Sequence, residues 1–345
     1  MKRIRLAIIL ESLAAWDAQR RTSVVAAALP RDEFDVQFIA PQDHSFGELL
    51  RLANVEADVV HLADAWSARR VGPLLAARRR KSFVVTVDEF RREAPWLSRR
   101  VERFVYRQAA AVVAHDLDIA ARRRAECGLS TDAPWTVVDD RSLQPVRVET
   151  SRAAICAELA LPLNAKILGT LGPLTAERNV KDLIWVNALL RLLYDDVYVV
   201  IVGDGPQSAM LQRFAELMHV ADRTRFVTHP EVFDRLAPHL TLYVDPARWS
   251  GPSSAIFSSQ AAGVPVLAID TPVRRRELLA GRSGFLVDEH DRAATTRHCH
   301  KLLGDEALRQ SLGSAGRDFA ASIQQAASTT AATWADVYRR AAAQS

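Results

Sequence analysis

Cysteine is scarce in this chain. Cys127, Cys156 and Cys299 are odd in number, far apart and in no metal-type spacing, which argues against a disulfide framework or a zinc site and fits a reducing cytoplasm. His298, Cys299 and His300 gather ligating side chains only on paper, because neighbouring helical positions point about 100° apart and cannot converge on one ion. No metal and no cofactor is expected. No apolar run approaches the roughly 20 residues of a membrane span. The run from Ile4 to Leu10 is too short for a secretory leader, so a cytoplasmic protein is expected, with peripheral membrane contact left open. No long Pro, Gly, Ser or acidic tract marks a disordered region, and most of the chain should fold.

What is present suits two α/β domains: 345 residues exceed one ordinary domain, and 49% are hydrophobic against 25% charged. The net charge of +4 comes mainly from arginine, in groups such as Arg78–Arg80, Arg122–Arg124 and Arg274–Arg276. Each group lies near the end or on the polar face of a helical pattern and reads as solvated surface first, with an anionic membrane surface or a phosphate ligand as the alternative. No basic face interleaves aromatics to stack bases, so no nucleic-acid partner is expected.

Short apolar runs of strand length alternate with helical spacing. Ile4–Leu10, Asp35–Ala40, Asp58–Leu62, Phe83–Val87 and Ala111–Ala114 read as buried strands, with helices at Asp17–Leu29, Phe46–Ala53, Ser67–Arg78 and Leu97–Ala109. A polar stretch with Pro145, Asp139 to Glu149, reads as a linker. A second series follows, from Lys166–Thr170 to Gly284–Val287, with helices at Val180–Leu193, Gln207–Met218, Ser254–Ala262 and Asp291–Leu303. After Asp305 helices interrupted near Gly313 and Gly316 are expected. Repeated strand-then-helix units imply parallel sheets. The expected domains are 1–145 and 146–325, both Rossmann-like and facing a central cleft, with a terminal helix over 326–345 crossing back across them.

Several segments, in order, resemble the fourth glycosyltransferase family, the glycosyl transferases group 1. Ile167 to Leu174 followed by Arg178-Asn179 is similar to that family's first C-domain strand and phosphate loop. Val199 to Pro206 is similar to its Gly-x-Gly-Pro turn, Ala261 to Val266 to the helix-to-strand corner of its signature, and Glu277 with Ser283 to Val287 to the segment beyond. The resemblance covers almost the whole second domain and implies the GT-B fold. It also implies retaining transfer of a sugar from a nucleoside-diphosphate donor, held at Gly172, Arg178, Gly203, Asp204, Gly205, Arg248, Ser250, Gly251 and Ser258.

The departures from the family fall at chemical positions. Pro173 stands where an Arg is usual, and Arg178 replaces a Lys, still offering phosphate a fork of donors. The family's two glutamates, eight positions apart, become Ser250 and Ser258, which carry no charge to stabilise a cationic centre. In the first domain Ala63 and Asp88 replace histidines, and Glu11 to Trp16 replaces a glycine-rich loop. Asp88 and His115 are the remaining candidates for acid–base work, although an Asp after a strand more often caps a helix. His61 reads as a core residue. Two functions follow: a transferase for a nucleotide sugar and an unidentified acceptor, or an inactive homologue that binds or scaffolds a protein partner. Trp249, beside Ser250, is placed to stack on a base or sugar, or simply to pack.

Overall fold

The computed structural model describes residues 3–11, 16–78, 81–87, 96–130, 135–144, 149–248, 253–289 and 291–344. Two compact units result, one made of residues 1–143 with 325–345, the other of residues 144–324. In the first, the apolar runs become strands β1 (Ile4–Ile9), β2 (Phe34–Ile39), β3 (Val59–Leu62), β4 (Ser82–Val87), β5 (Ala111–Ala114) and β6 (Trp135–Val137). All pair in parallel, in the order β2-β1-β3-β4-β5-β6. Parallel neighbours require crossovers, and these are α1 (Trp16–Ala28), α2 (Phe46–Ala53), α3 (Ala65–Arg70), α4 (Gly72–Arg78), α5 (Trp96–Gln108) and α6 (Leu117–Glu126).

The second unit repeats the plan with α7 (Arg152–Glu158), β7 (Lys166–Leu171), α8 (Val180–Leu190), β8 (Val197–Val202), α9 (Ser208–Leu217) and β9 (Thr224–Val227). It continues with α10 (Val232–Leu236), β10 (Leu242–Asp245), α11 (Ser254–Ala261), β11 (Val266–Ile269), α12 (Arg274–Glu277), β12 (Gly284–Val287), α13 (Arg292–Gly304) and α14 (Glu306–Gln324). Its parallel sheet runs β12-β11-β10-β7-β8-β9. The last helix, α15 (Ala327–Ala342), returns to the first unit and buries Trp334, Val337, Tyr338 and Ala341 in the core that β1, β3, β4 and β5 share.

Both sheets change direction once, between β1 and β3 in the first unit and between β7 and β10 in the second. Such reversals leave a crevice at the carboxyl ends of the strands, because the two flanking crossovers depart to opposite faces. The fold therefore places one candidate site in each unit.

Three expectations change. Residues 67–78 form two helices, because Pro73 has no N–H to continue α3, and Gly72 at the break packs so close to α5 that a Cβ there would lie 2.8 Å from Val105. The helical pattern that carries Arg122–Arg124 becomes α6, but Arg123 turns inward with Ile119 and Ala120 rather than to solvent. Helix α14 runs unbroken through Gly313 and Gly316. Part of the expected linker also belongs to the first unit: residues 140–143 form a tight turn with Asp140 and Ser142 buried, Ser142 Oγ donating to Thr330 Oγ1 at 2.9 Å.

Candidate functional site

In the second unit, β7 ends at Leu171 and the chain turns sharply through Gly172, whose φ of +151° favours glycine. The turn is held by its neighbours. Leu174 N donates to Asp204 O at 2.8 Å and Gln207 N to Leu174 O at 3.0 Å, so the Gly203-Asp204-Gly205 turn after β8 clasps the Pro173-Leu174 loop. A Cβ at Gly203 would fall 2.2 Å from Gly172 O. These glycines let two loops touch.

The expected cations and anion cradle are brought to this edge, but each is already engaged. Arg178 is buried, donates to Leu171 O and lies 3.6 Å from Asp245, the last residue of β10. It thus spans the reversal point between β7 and β10. Asp204 turns its carboxylate onto its own loop, accepting from Gly205 N at 2.7 Å and Ser208 Oγ at 2.6 Å, which lowers its pKa. Arg248 reaches Asp182 of α8 at 3.8 Å and is about one-third exposed. Ser258 is buried within α11. Asp88, Trp249, Ser250 and Gly251 lie outside the described residues.

Residues that the sequence did not mark as ligand contacts complete the arrangement. Asp245 also binds Arg274 at 2.7 Å, and Arg274 pairs with Glu277, which accepts from Ser253 N at 2.5 Å. Ser253 is the N-cap of α11, its Oγ accepting from Ile256 N. A charged chain therefore runs from Arg178 through Asp245, Arg274 and Glu277 to the start of α11. Burial pulls the Arg274 pKa down, but the Asp245 and Glu277 carboxylates outweigh it and raise it. Asp182 likewise gathers Arg248, Asn179 (2.6 Å) and Arg292 (2.6 Å). The cavity among Asn179, Asp182, Asp245 and Arg292 holds only about 10 Å³. The available signals were an Asp closing a strand three residues before Arg248 and the Glu277 segment that resembles the family.

Arg274 corrects the expectation that the arginine groups are solvated: it is 0% exposed, and Arg123 of α6 is buried beside Glu102 and Glu126, whereas Arg275 is exposed on Asp270. His298, Cys299 and His300 diverge, toward Phe285, the core and Tyr194 respectively.

In the first unit, a cavity of about 540 Å³ opens at the other reversal point. Glu11, following β1, donates its backbone N–H to Asp64, following β3, at 2.7 Å. Asp64 also caps α3 through Ser67 N. Trp66, Arg69, Arg70 and the α5 residues Leu97, Ser98 and Val101 line the remainder. This offers hydroxyl-binding carboxylates, two guanidinium groups and an indole to a polar ligand. His115 is elsewhere. It is buried at the end of β5, 3.3 Å from Asp140 and 3.4 Å from Val138 O; burial pushes its pKa down to about 3 and that of Asp140 up to about 7. With its side chain enclosed, His115 braces the turn after β6. His61 is in the core, between Thr86 Oγ1 (2.6 Å) and Tyr338 OH (3.0 Å).

Residues 151–319, just under half of this chain, match the family model of glycosyl transferases group 1. Over 315 residues the chain is 28% identical to a D-inositol 3-phosphate glycosyltransferase of Streptomyces bingchenggensis, covering 82% of this chain and 67% of that protein. A D-inositol 3-phosphate glycosyltransferase of Streptomyces avermitilis is 32% identical over 215 residues, which span 58% of this chain and 45% of the relative. Among solved structures, Anabaena Alr3699/HepE in complex with UDP-glucose superposes with a TM-score of 0.77 at 15% identity, over 96% of this chain and 100% of the other. The sucrose-phosphate synthase of Thermosynechococcus elongatus gives 0.71 at 17% identity, over 99% and 100%.

Proposed function

We propose, starting from a chain with the GT-B fold whose residues 151–319 match the group 1 glycosyl transferase model, that it binds a nucleoside-diphosphate sugar in its second unit and transfers the sugar with retention. The observation that carries this is the set of guanidinium groups from four segments, Arg178, Arg248, Arg274 and Arg292, gathered by Asp182 and Asp245 at the carboxyl edge of β7 and β10. A diphosphate competing for Arg178 and Arg248 meets preplaced forked donors, which suit its oxygens better than single ammonium groups. The bond from the sugar's C1 to the diphosphate oxygen breaks, the acceptor hydroxyl oxygen bonds to C1, and the hydroxyl proton leaves with the diphosphate. Stabilising the departing charge is the main demand, and cations meet it without a carboxylate at position 250 or 258. The acceptor occupies the larger cavity of the first unit, where Glu11, Asp64, Arg69 and Trp66 suit a polyhydroxy compound. The three buried free thiols suit a cytoplasmic protein.

A second reading, an inactive homologue with a protein partner, draws on the engaged state of the same groups: Arg178 on Asp245, and the Asp204 carboxylate on Gly205 N. Calorimetric titration with UDP, GDP and their sugar conjugates separates the two. The transferase reading expects one nucleotide sugar to bind at about micromolar concentration and Arg178→Ala to weaken it about tenfold, equivalent to about 1.4 kcal/mol. No heat with any nucleotide at about millimolar concentration would leave only the second reading.

A further inference from the structure

Helix α5 of the first unit presents an exposed face that is both apolar and basic. Positions three, four and seven apart share a helical face, and the outer face of α5 carries two adjacent rows. One is Trp96, Arg100, Arg103 and Arg107; the other is Leu97 and Phe104, separated by Val101. Trp96 is 66% exposed, Leu97 59% and Phe104 44%, whereas Val105 and Tyr106 on the opposite face are buried. The one carboxylate on the helix, Glu102, is also buried, held by Arg69 at 2.6 Å. Among the described residues no carboxylate pairs with Arg100, Arg103 or Arg107. Arg100 instead lies over the Trp96 ring, 5.2 Å from its centroid.

We propose that α5 is a membrane-docking helix that lies in the plane of an anionic lipid surface, with Trp96, Leu97 and Phe104 among the acyl-chain ends and Arg100, Arg103 and Arg107 on the headgroups. Charge complementarity selects this occupant. A row of arginines with no carboxylate partner among the described residues calls for a dense anionic surface, and an apolar row parallel to it, with an indole at its end, calls for one with a hydrocarbon layer beneath. A nucleic acid would satisfy the first row and leave the second in water. The cavity described above has Leu97, Ser98 and Val101 in its wall, so α5 would bring its mouth to the headgroup layer. No helix among the described residues is long and apolar enough to cross a membrane, and docking of this kind needs none. The inference is independent of whether the second unit binds a nucleotide.

Vesicle flotation of the full chain tests it, using phosphatidylcholine vesicles with and without phosphatidylglycerol and no nucleotide. The wild type should float with the phosphatidylglycerol vesicles only, and molar salt should release it. The triple variant Arg100→Glu, Arg103→Glu, Arg107→Glu should lose binding by at least about tenfold. The Trp96→Ser, Phe104→Ser variant should also lose binding, with an unchanged urea midpoint because both side chains are exposed. Failure of the wild type to float, or flotation of both variants like the wild type, overturns the proposal. So does sedimentation showing a wild-type dimer that both variants abolish, because the face then belongs to a second copy.

Discussion

A guanidinium without water around it is tolerated only among carboxylates, and Arg274 has Asp245 at 2.7 Å and Glu277 beside it. Removing it strands those carboxylates in the interior. Arg274→Ala should therefore cost about 3–5 kcal/mol, read from urea unfolding, whereas Arg275→Ala should cost less than about 1 kcal/mol because its pair with Asp270 is exposed. Pattern reading could not separate the two: which member of an arginine triplet points inward depends on the phase of α12, only four residues long. His61 was legible as a core residue, because an apolar strand leaves it nowhere else to go. Burial pushes its pKa from 6.5 to about 3, so the folded state holds the ring neutral while the unfolded chain protonates it. Its contribution is intact above about pH 6.5 and is lost as pH falls toward 3, at about 1.4 kcal/mol per unit. His115 acts in the same direction, and Asp140 opposes it, since its raised pKa favours the folded state as pH falls from about 7. His61→Gln, which keeps a donor and an acceptor for Thr86 and Tyr338, should flatten the dependence of the urea midpoint on pH by one proton. An unchanged slope would mean that the ring is hydrated in the folded protein.

At the scale of elements, glycines expected to break α14 instead let it approach. A Cβ at Gly313 would sit 2.0 Å from the carbonyl oxygen of Gly263, at the corner after α11. Helix propensity alone predicts that Gly313→Ala stabilises by about 1 kcal/mol. Overpacking against a backbone atom that cannot move aside costs about 1–3 kcal/mol, and it should win. Gly304→Ala is the control, because its nearest neighbour is the Tyr194 hydroxyl at 3.8 Å and no strain opposes the substitution. Thermal denaturation of the two variants should move in opposite directions. The strands and long helices of both units could be placed from apolar spacing, because parallel strands buried on both faces leave continuous runs. The path of α14 could not, since it is set by a neighbour distant in sequence, whereas the break at Gly72 is marked locally by Pro73, which cannot continue a helix. The same distinction holds for the site. The glycine turns were visible in sequence, whereas the pairing of Arg178 with Asp245 joins residues far apart in the chain, one in the loop after β7 and the other at the end of β10.

For the whole molecule the two sites have different sources. The second-unit site follows from segments that resemble a known family. The first-unit cavity has no such motif and emerges only when β1 and β3 bring Glu11 and Asp64 together at the reversal of the sheet. The return of α15 also sets an order of events during synthesis. Residues 144–324 form a contiguous unit, but the first unit lacks Trp334, Tyr338 and their neighbours until the final segment is made. The half that leaves the ribosome first must then wait, with β3 and β4 uncovered, while the half made second completes its core. A chain ended after Gln324 should give a protease-resistant fragment of the second unit alone, and adding residues 325–345 should protect the first. Until that helix docks, the uncovered sheet is the stage at which a chaperone would be needed most.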